Sequence, residues 1–176
     1  MSVVAFLVLG SDGSSSASGT SAGVTTSADR SVFLAARRAC DAILIGGRSA
    51  ASEPYARTPV PLIVVSTTRP DILNKNPKAI WWNCSPSDAI QRATSEFGSR
   101  ICVEGGVNFL NELLKHGKIA ELRLSITPYS GGDNPIDIAA LLAHFGRISK
   151  SRTDETQFYI CTEPVLPFSS PALLID

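Results

Sequence analysis

Short apolar runs recur along the chain at Val3–Leu9, Ala42–Ile45, Leu62–Val65, Ala79–Trp82, Ile101–Val103 and Leu122–Ile126. The first three are apolar without alternation, the pattern of strands covered on both faces. Segments of helical period lie between several of them. Ala28–Cys40 is one, opened by Thr26 or Ser27 as N-cap with Asp29 in its first turn. Ser85-Pro86-Ser87-Asp88 opens another, with Ser at the cap and Pro at the first helical position; its buried stripe is Ile90, Ala93 and Phe97, and Gly98 closes it. Asn108–His116 is a third, stopping at Gly117, and Ile138–Phe145 a short fourth. Strands alternating with helices predict an α/β domain with a mostly parallel central sheet. The end differs. Arg147–Arg152 and Thr156–Glu163 flank Thr153-Asp154-Glu155 and read as an antiparallel hairpin, with Phe158 and Ile160 on one face and Tyr159 and Cys161 on the other. Pro164, Pro167 and Pro171 interrupt the tail, which is expected to pack against the domain or a partner subunit.

Composition narrows the class. The 176 residues fit a single domain over 1–176, and 44% hydrophobic with 18% charged residues describes an ordinary globular protein. The 16 basic and 16 acidic residues cancel, so no basic footprint points to nucleic acid. Cys40, Cys84, Cys102 and Cys161 form no CxxC and lie mostly in or beside apolar runs, which favours a reduced, cytoplasmic chain over a disulfide framework. His116 and His144 are far apart and join no cysteine motif; no structural metal is expected, and both read as solvated helix-face residues. Val3–Leu9 with its serine-rich sequel imitates a signal peptide, but no Lys or Arg precedes it and the run is short. No segment approaches the length of a membrane-spanning helix. Asn83-Cys84-Ser85 fits a glycosylation sequon that a cytoplasmic chain would not use.

The candidate chemistry gathers at strand ends. Glu104-Gly105-Gly106 follows the strand-like Ile101–Val103 and precedes the helix of Asn108–His116. Glycines at such a turn let backbone approach a ligand, and the free N–H groups of the next helix favour a phosphate; the bland alternative is Gly-Gly for tight packing. Gly46-Gly47-Arg48-Ser49 and Ser66-Thr67-Thr68-Arg69 end two other strands. In a parallel sheet all three turns share one edge, where N–H groups, hydroxyls and arginines suit a molecule with several phosphates and a ribose. The pattern is neither a GxGxxG fingerprint nor a P-loop. Residues 10–26, dominated by Ser and Gly, leave the carboxyl end of the first strand and read as a mobile loop, either a lid or a loop without duty.

These motifs resemble the reductase domain of the bifunctional riboflavin-biosynthesis deaminase-reductase family, within the dihydrofolate-reductase-like fold. The resemblance is carried by Cys102-Val103-Glu104-Gly105-Gly106 with Leu110, Leu113-Leu114, Gly117, Glu121-Leu122, Leu124, Thr127-Pro128 and Gly131. Arg37 with Asp41–Ser49, and Ser11-Asp12-Gly13 after the first strand, add to it. It covers most of residues 3–163 and implies a three-layer domain, a homodimer joined through the late strands and tail, and NADPH-dependent reduction of a phosphorylated ribosylamino-pyrimidine to the ribitylamino compound.

The resemblance also implies roles for individual residues. Glu104 matches a substrate-contacting carboxylate, and Glu104 and Asp12 are the candidate catalytic groups, able to orient the sugar or pass a proton through water. Alternatively Asp12 is an Asx-turn residue before Gly13, and Glu104 a helix-start carboxylate satisfied by backbone N–H groups. Gly105, Gly106, Val107, Asn108 and Phe109 match the turn that holds the cofactor pyrophosphate. Ser49 and Glu53 match cofactor contacts. Ser66, Thr67, Thr68 and Arg69 match the strand end near the adenosine ribose, with Arg69 for the 2′-phosphate. Arg37 and Arg57 are the candidate substrate-binding arginines. One departure bears on substrate: the family has Lys or Arg soon after its Asp-Gly, whereas Asp12-Gly13 is followed here by Ser14-Ser15-Ser16-Ala17. Two rival readings are a dihydrofolate or pterin reductase, and a nucleotide-binding module without catalysis.

Overall fold

The computed structural model describes residues 2–165, so the proline-interrupted tail beyond Val165 lies outside the described residues. The strands are β1 (Ser2–Leu9), β2 (Ser14–Ser16), β3 (Ala42–Gly46), β4 (Leu62–Val65), β5 (Ala79–Trp82), β6 (Arg100–Val103), β7 (Glu121–Ile126), β8 (Asp133–Pro135), β9 (Phe145–Thr153) and β10 (Thr156–Pro164). The helices are α1 (Ser27–Ala39), α2 (Gly47–Ser52), α3 (Pro86–Phe97), α4 (Val107–Lys115) and α5 (Ile138–Leu142). The main sheet runs in the order β5-β4-β3-β6-β1-β7-β10-β9. Its members are parallel from β5 through β7, and β10 turns antiparallel between β7 and β9.

The strands follow from their burial. Every residue of β3 and β4 is buried, as unbroken apolar runs require when helices cover both faces. On one face α3 contributes Ala89, Ile90 and Ala93, and α4 contributes Leu110, Leu113 and Leu114, packed on strand residues such as Leu44, Ile63 and Val103. On the other, Ile43, Ile45, Val64 and Cys102 pack with Ala50 of α2, Tyr55 and Cys40 at the end of α1. This gives the three layers expected. The helix starts also follow the sequence: Thr26 Oγ1 accepts the Asp29 N–H at 3.2 Å, and Ser85 Oγ accepts the Asp88 N–H at 3.1 Å.

Two expectations need correction. Ile138–Phe145 is not one helix: α5 ends at Leu142, and Phe145 is drawn into β9, where it pairs with Pro164 and is buried in the core. The serine-rich stretch is also tied down. Ser14–Ser16 pairs antiparallel with Asp133–Pro135, Ser21–Val24 forms a 3-10 turn, and Val24 is buried while its carbonyl accepts from Thr127 Oγ1 at 2.7 Å. Hydroxyl side chains there bond to backbone, a local ordering that composition does not reveal. The hairpin forms as read: Tyr159 and Cys161 point into the core, and Ile160 on the opposite face is exposed.

Candidate active site

The register of the parallel strands puts the three polar turns on one edge. Gly46 at the end of β3 lies opposite Val65 at the end of β4, and Leu44 lies opposite Val103 in β6. A cavity of about 1370 Å3 opens there and continues along the sheet face between α1 and strands β1, β7 and β10. Topology predicts a crevice at this place, beyond the carboxyl ends of the strands.

The glycine turn is built for close approach. A Cβ on Gly105 would stand 2.5 Å from Phe109 Cδ1, so only glycine lets the Phe109 ring fold back over the turn. A Cβ on Gly106 would meet nothing nearer than Ser49 Oγ at 3.7 Å, which leaves Gly106 open to the cavity. Ser49 Oγ accepts the Gly106 N–H at 3.1 Å, linking α2 to the start of α4. Among the described residues no side chain caps α4. The N–H groups of its first turn therefore remain for an anion, assisted by the positive end of the helix dipole.

The second feature is a buried ion pair. Arg37 on α1 meets Glu104 at the end of β6 side-on: Nε donates to Oε1 at 2.9 Å and to Oε2 at 3.0 Å, and Nη2 donates to Oε2. Tyr55 Oη donates to the same Oε2 at 2.9 Å. The guanidinium carbon lies 4.4 Å from the Phe33 ring centre and 4.9 Å from that of Tyr55. The side chain of Glu104 is 2% exposed and that of Arg37 13%; both line the cavity, and the arginine is the more exposed member. Burial pushes the Glu104 carboxyl above its ordinary value, against the opposing pull of Arg37 and Tyr55. Burial pulls Arg37 down, but the Glu104 hydrogen bonds and charge outweigh it. Tyr55 is pushed well above the ordinary phenol range, first by burial and then by the neighbouring carboxylate.

The other expected residues divide between the cavity and its surroundings. Ser49, Glu53, Arg57, Val107, Asn108 and Phe109 line the cavity. Glu53 also reaches the serine-rich stretch, accepting the Ser21 N–H at 2.7 Å. Ser66, Thr68 and Arg69 line an adjoining hollow of about 340 Å3 with Lys75, while Thr67 is exposed and lines neither space. Asp12 lies outside the cavity lining. Its carboxylate accepts from Ser14 N–H at 3.0 Å, Ser14 Oγ at 2.6 Å and Gly131 N–H at 2.6 Å. Those bonds hold its pKa at about 2, as in the Asx-turn alternative. Both expected catalytic carboxylates are thus engaged by protein donors. Sequence reasoning missed Tyr55, Phe33 and Arg123, which also line the cavity. Period-two alternation in β7 places Arg123 opposite the buried Leu122 and Leu124 and could have found it; nothing local marks Tyr55.

An open α/β sheet with helices on both faces, glycine- and hydroxyl-bearing turns at its carboxyl edge and a helix start facing a cavity make this a three-layer α/β domain with a ligand cleft at the carboxyl ends of its strands. The family model of the RibD C-terminal domain matches residues 2–138. The chain belongs to the RibD C-terminal domain family. A pyrimidine reductase-like protein from Corynebacterium diphtheriae is similar with a TM-score of 0.67 at 16% identity, over 94% of this chain and 92% of that one. A diaminohydroxyphosphoribosylaminopyrimidine deaminase/5-amino-6-(5-phosphoribosylamino)uracil reductase from Thermotoga maritima gives a TM-score of 0.67 at 14% identity, over 93% of this chain and 56% of that one. Acinetobacter baumannii RibD gives 0.67 at 14% identity, over 93% and 58%. This chain therefore spans a little over half the length of the latter two proteins. No curated protein matches the chain.

Proposed function

We propose that this chain is an NADPH-dependent reductase of riboflavin biosynthesis, converting a 5-phosphoribosylamino-pyrimidine to its ribitylamino form. The observation that carries the reading is the open Gly106 and the uncapped start of α4 in one cavity with Arg37 and Arg57. A dinucleotide fits these residues. Gly106 with the N–H groups of Val107, Asn108 and Phe109 would take the pyrophosphate, with Ser49 bracing the turn. Ser66, Thr68 and Arg69 would take the adenosine ribose and its 2′-phosphate, and Thr67 would flank them from solvent. Glu53 would border the cofactor while holding Ser21. When bound, NADPH supplies the hydride.

The chain's own part is to bind and align. Arg57 is exposed on the cavity wall without an ion-pair partner among the described residues, and Arg37 lines the same cavity while Glu104 engages its Nε and Nη2. Both suit a sugar phosphate. Alignment of two reactants lowers a barrier by several kcal/mol, up to about 7–11 in favourable cases. Glu104 acts through Arg37 and orients it. Solvent water in the open cavity supplies the proton for the product amine, because Asp12 and Glu104 are both engaged elsewhere. We further propose a cytoplasmic homodimer. Ile148 and Ile160, on the late strands, and Val165 just beyond them are exposed apolar residues suited to a partner subunit.

Turnover of the phosphorylated ribosylamino-pyrimidine with NADPH, in wild type and Arg37→Ala, tests the reading. Loss of phosphorylated-substrate turnover in the variant supports it. Oxidation of NADPH with dihydrofolate, insensitive to Arg37→Ala, would favour a pterin reductase instead. Nucleotide binding without any turnover would favour an inactive module, whose support is that Ser14–Ser16 bring hydroxyls and no cation.

A further inference from the structure

Arg37 is held more tightly than a surface phosphate-binding arginine. Glu104 engages its Nε edge, and the Phe33 and Tyr55 rings lie against its guanidinium. Arginine carries five N–H donors in a planar fork. Glu104 takes the Nε and one Nη2 position and the Tyr55 hydroxyl stands within hydrogen-bonding reach of the guanidinium, while no hydrogen bond from Nη1 forms among the described residues. Tyr55 completes the arrangement from the segment after α2. Its ring is buried, its hydroxyl donates to Glu104 Oε2, and its carbonyl accepts from the buried Asn76 Nδ2 at 2.9 Å. Asn76 Nδ2 also donates to Thr58 Oγ1 at 3.0 Å, and the Tyr55 N–H donates to the Glu53 carbonyl at 2.9 Å, so the loop is held on both sides of Tyr55.

We propose that Tyr55 is a positioning residue: through Glu104 it fixes Arg37 as a preoriented receptor for the terminal phosphate of a sugar-phosphate substrate. The phosphate itself makes the identification of ligand class, since a guanidinium fork with one edge anchored offers its other edge to a phosphate oxygen pair. Without the Tyr55 hydroxyl, Oε2 of the buried carboxylate loses a donor, and Glu104 is free to tilt and carry Arg37 with it. Glu104 lines the cavity with a side chain only 2% exposed, its oxygens turned to Arg37 and Tyr55. The inference rests on the reductase reading for its choice of substrate, but the receptor can be tested without turnover.

The test uses the full chain, ribose 5-phosphate as probe, and the Arg37 Nε–H resonance observed by nuclear magnetic resonance. In wild type the probe shifts that resonance as it binds, while ribose without phosphate does not. Tyr55→Phe, which removes only the hydroxyl, weakens ribose 5-phosphate binding about tenfold, the size expected for one hydrogen bond to a charged group. Arg37→Lys, which keeps the charge and loses the fork, weakens it at least as much, and both variants keep the wild-type affinity for NADPH. In turnover, Tyr55→Phe raises KM for the phosphorylated substrate and lowers its preference over the dephosphorylated one, whereas a merely structural defect lowers both substrates alike. Equal ribose 5-phosphate binding by wild type and Tyr55→Phe overturns the proposal, as does a wild-type Arg37 resonance that saturating probe leaves unmoved. Probe binding with the predicted variant effects, but no reduction of any ribosylamino-pyrimidine, leaves the receptor standing and refutes the reductase reading.

Discussion

Ser49 Oγ accepts the N–H of Gly106 at 3.1 Å, so the hydroxyl that follows β3 braces the turn that follows β6. The bond ties two of the three polar strand ends together at the point where the uncapped α4 begins. Ser49→Ala removes the brace and leaves one more N–H to be satisfied by water. Its NADPH affinity is expected to fall about 2- to 10-fold, the worth of an ordinary hydrogen bond. Titration of the nucleotide against the variant checks this; an unchanged affinity would separate Ser49 from the cofactor site.

The neighbouring glycines should behave oppositely. Gly105→Ala places a methyl 2.5 Å from Phe109 Cδ1, which forces the ring and the first turn of α4 to move. Overpacking of this kind costs about 1–3 kcal/mol, read as a lower midpoint in denaturant unfolding, and nucleotide affinity falls with it. Gly106→Ala meets only Ser49 Oγ at 3.7 Å and leaves stability unchanged. Gly106→Asp also folds normally but loses NADPH binding, because its carboxylate stands where the pyrophosphate is expected.

Arg69 lines the smaller hollow beside Ser66, and the indole Nε1 of Trp81 donates to the Ser66 carbonyl at 3.0 Å. Trp81 therefore adjoins that hollow through Ser66, and its fluorescence, read in a Trp82→Phe background, is the readout for nucleotide there. Arg69→Ala is expected to weaken NADPH about tenfold and NADH hardly at all, the difference being one charge-assisted contact to the 2′-phosphate. Equal weakening of the two nucleotides would place the 2′-phosphate elsewhere.

Acid should loosen the loop before it unfolds the sheet. Asp12 is held at about 2, below its ordinary value of 3.8, chiefly by the Ser14 hydroxyl and the Gly131 N–H. A carboxylate whose pKa falls on folding contributes its stability above the unfolded value and loses it as pH drops through the folded one. The clasp between residues 12–14 and 131 is thus complete at neutral pH and fails between pH ~4 and ~2. Hydrogen exchange at the Gly131 and Ser14 amides follows it, and exchange that stays slow through pH 2 would contradict the assignment. Asp12→Ala opens the same clasp at neutral pH without changing the single-turnover hydride step, since Asp12 lies outside the cavity lining.

Hydrophobic pattern and turn chemistry made the sheet legible. Unbroken apolar runs marked the buried β3 and β4, and Thr26 and the Ser85-Pro86 pair marked helix starts. The glycine turn and its edge were legible for the same reason: strand, turn and helix are consecutive in the chain. What was hidden depends on partners far apart in sequence. Arg37 and Glu104 are separated by 67 positions, and Tyr55 and Glu104 by 49. No local spacing could announce that Glu104 would be engaged by an arginine and a phenol. Asp12 was ambiguous because its role turns on Gly131, in a distant loop. The serine-rich stretch misled because hydroxyl-rich composition reads as mobile, while Ser14 and Val24 are buried by contacts with the segment around residues 127–135.

The most direct measurement is NADPH oxidation by the purified chain with a 5-phosphoribosylamino-pyrimidine, alongside NADPH titration of Trp81 fluorescence. The account predicts tight NADPH binding that Gly106→Asp abolishes, and oxidation stoichiometric with formation of the ribitylamino product. Absence of binding to either NADPH or NADH would contradict it and leave only the fold.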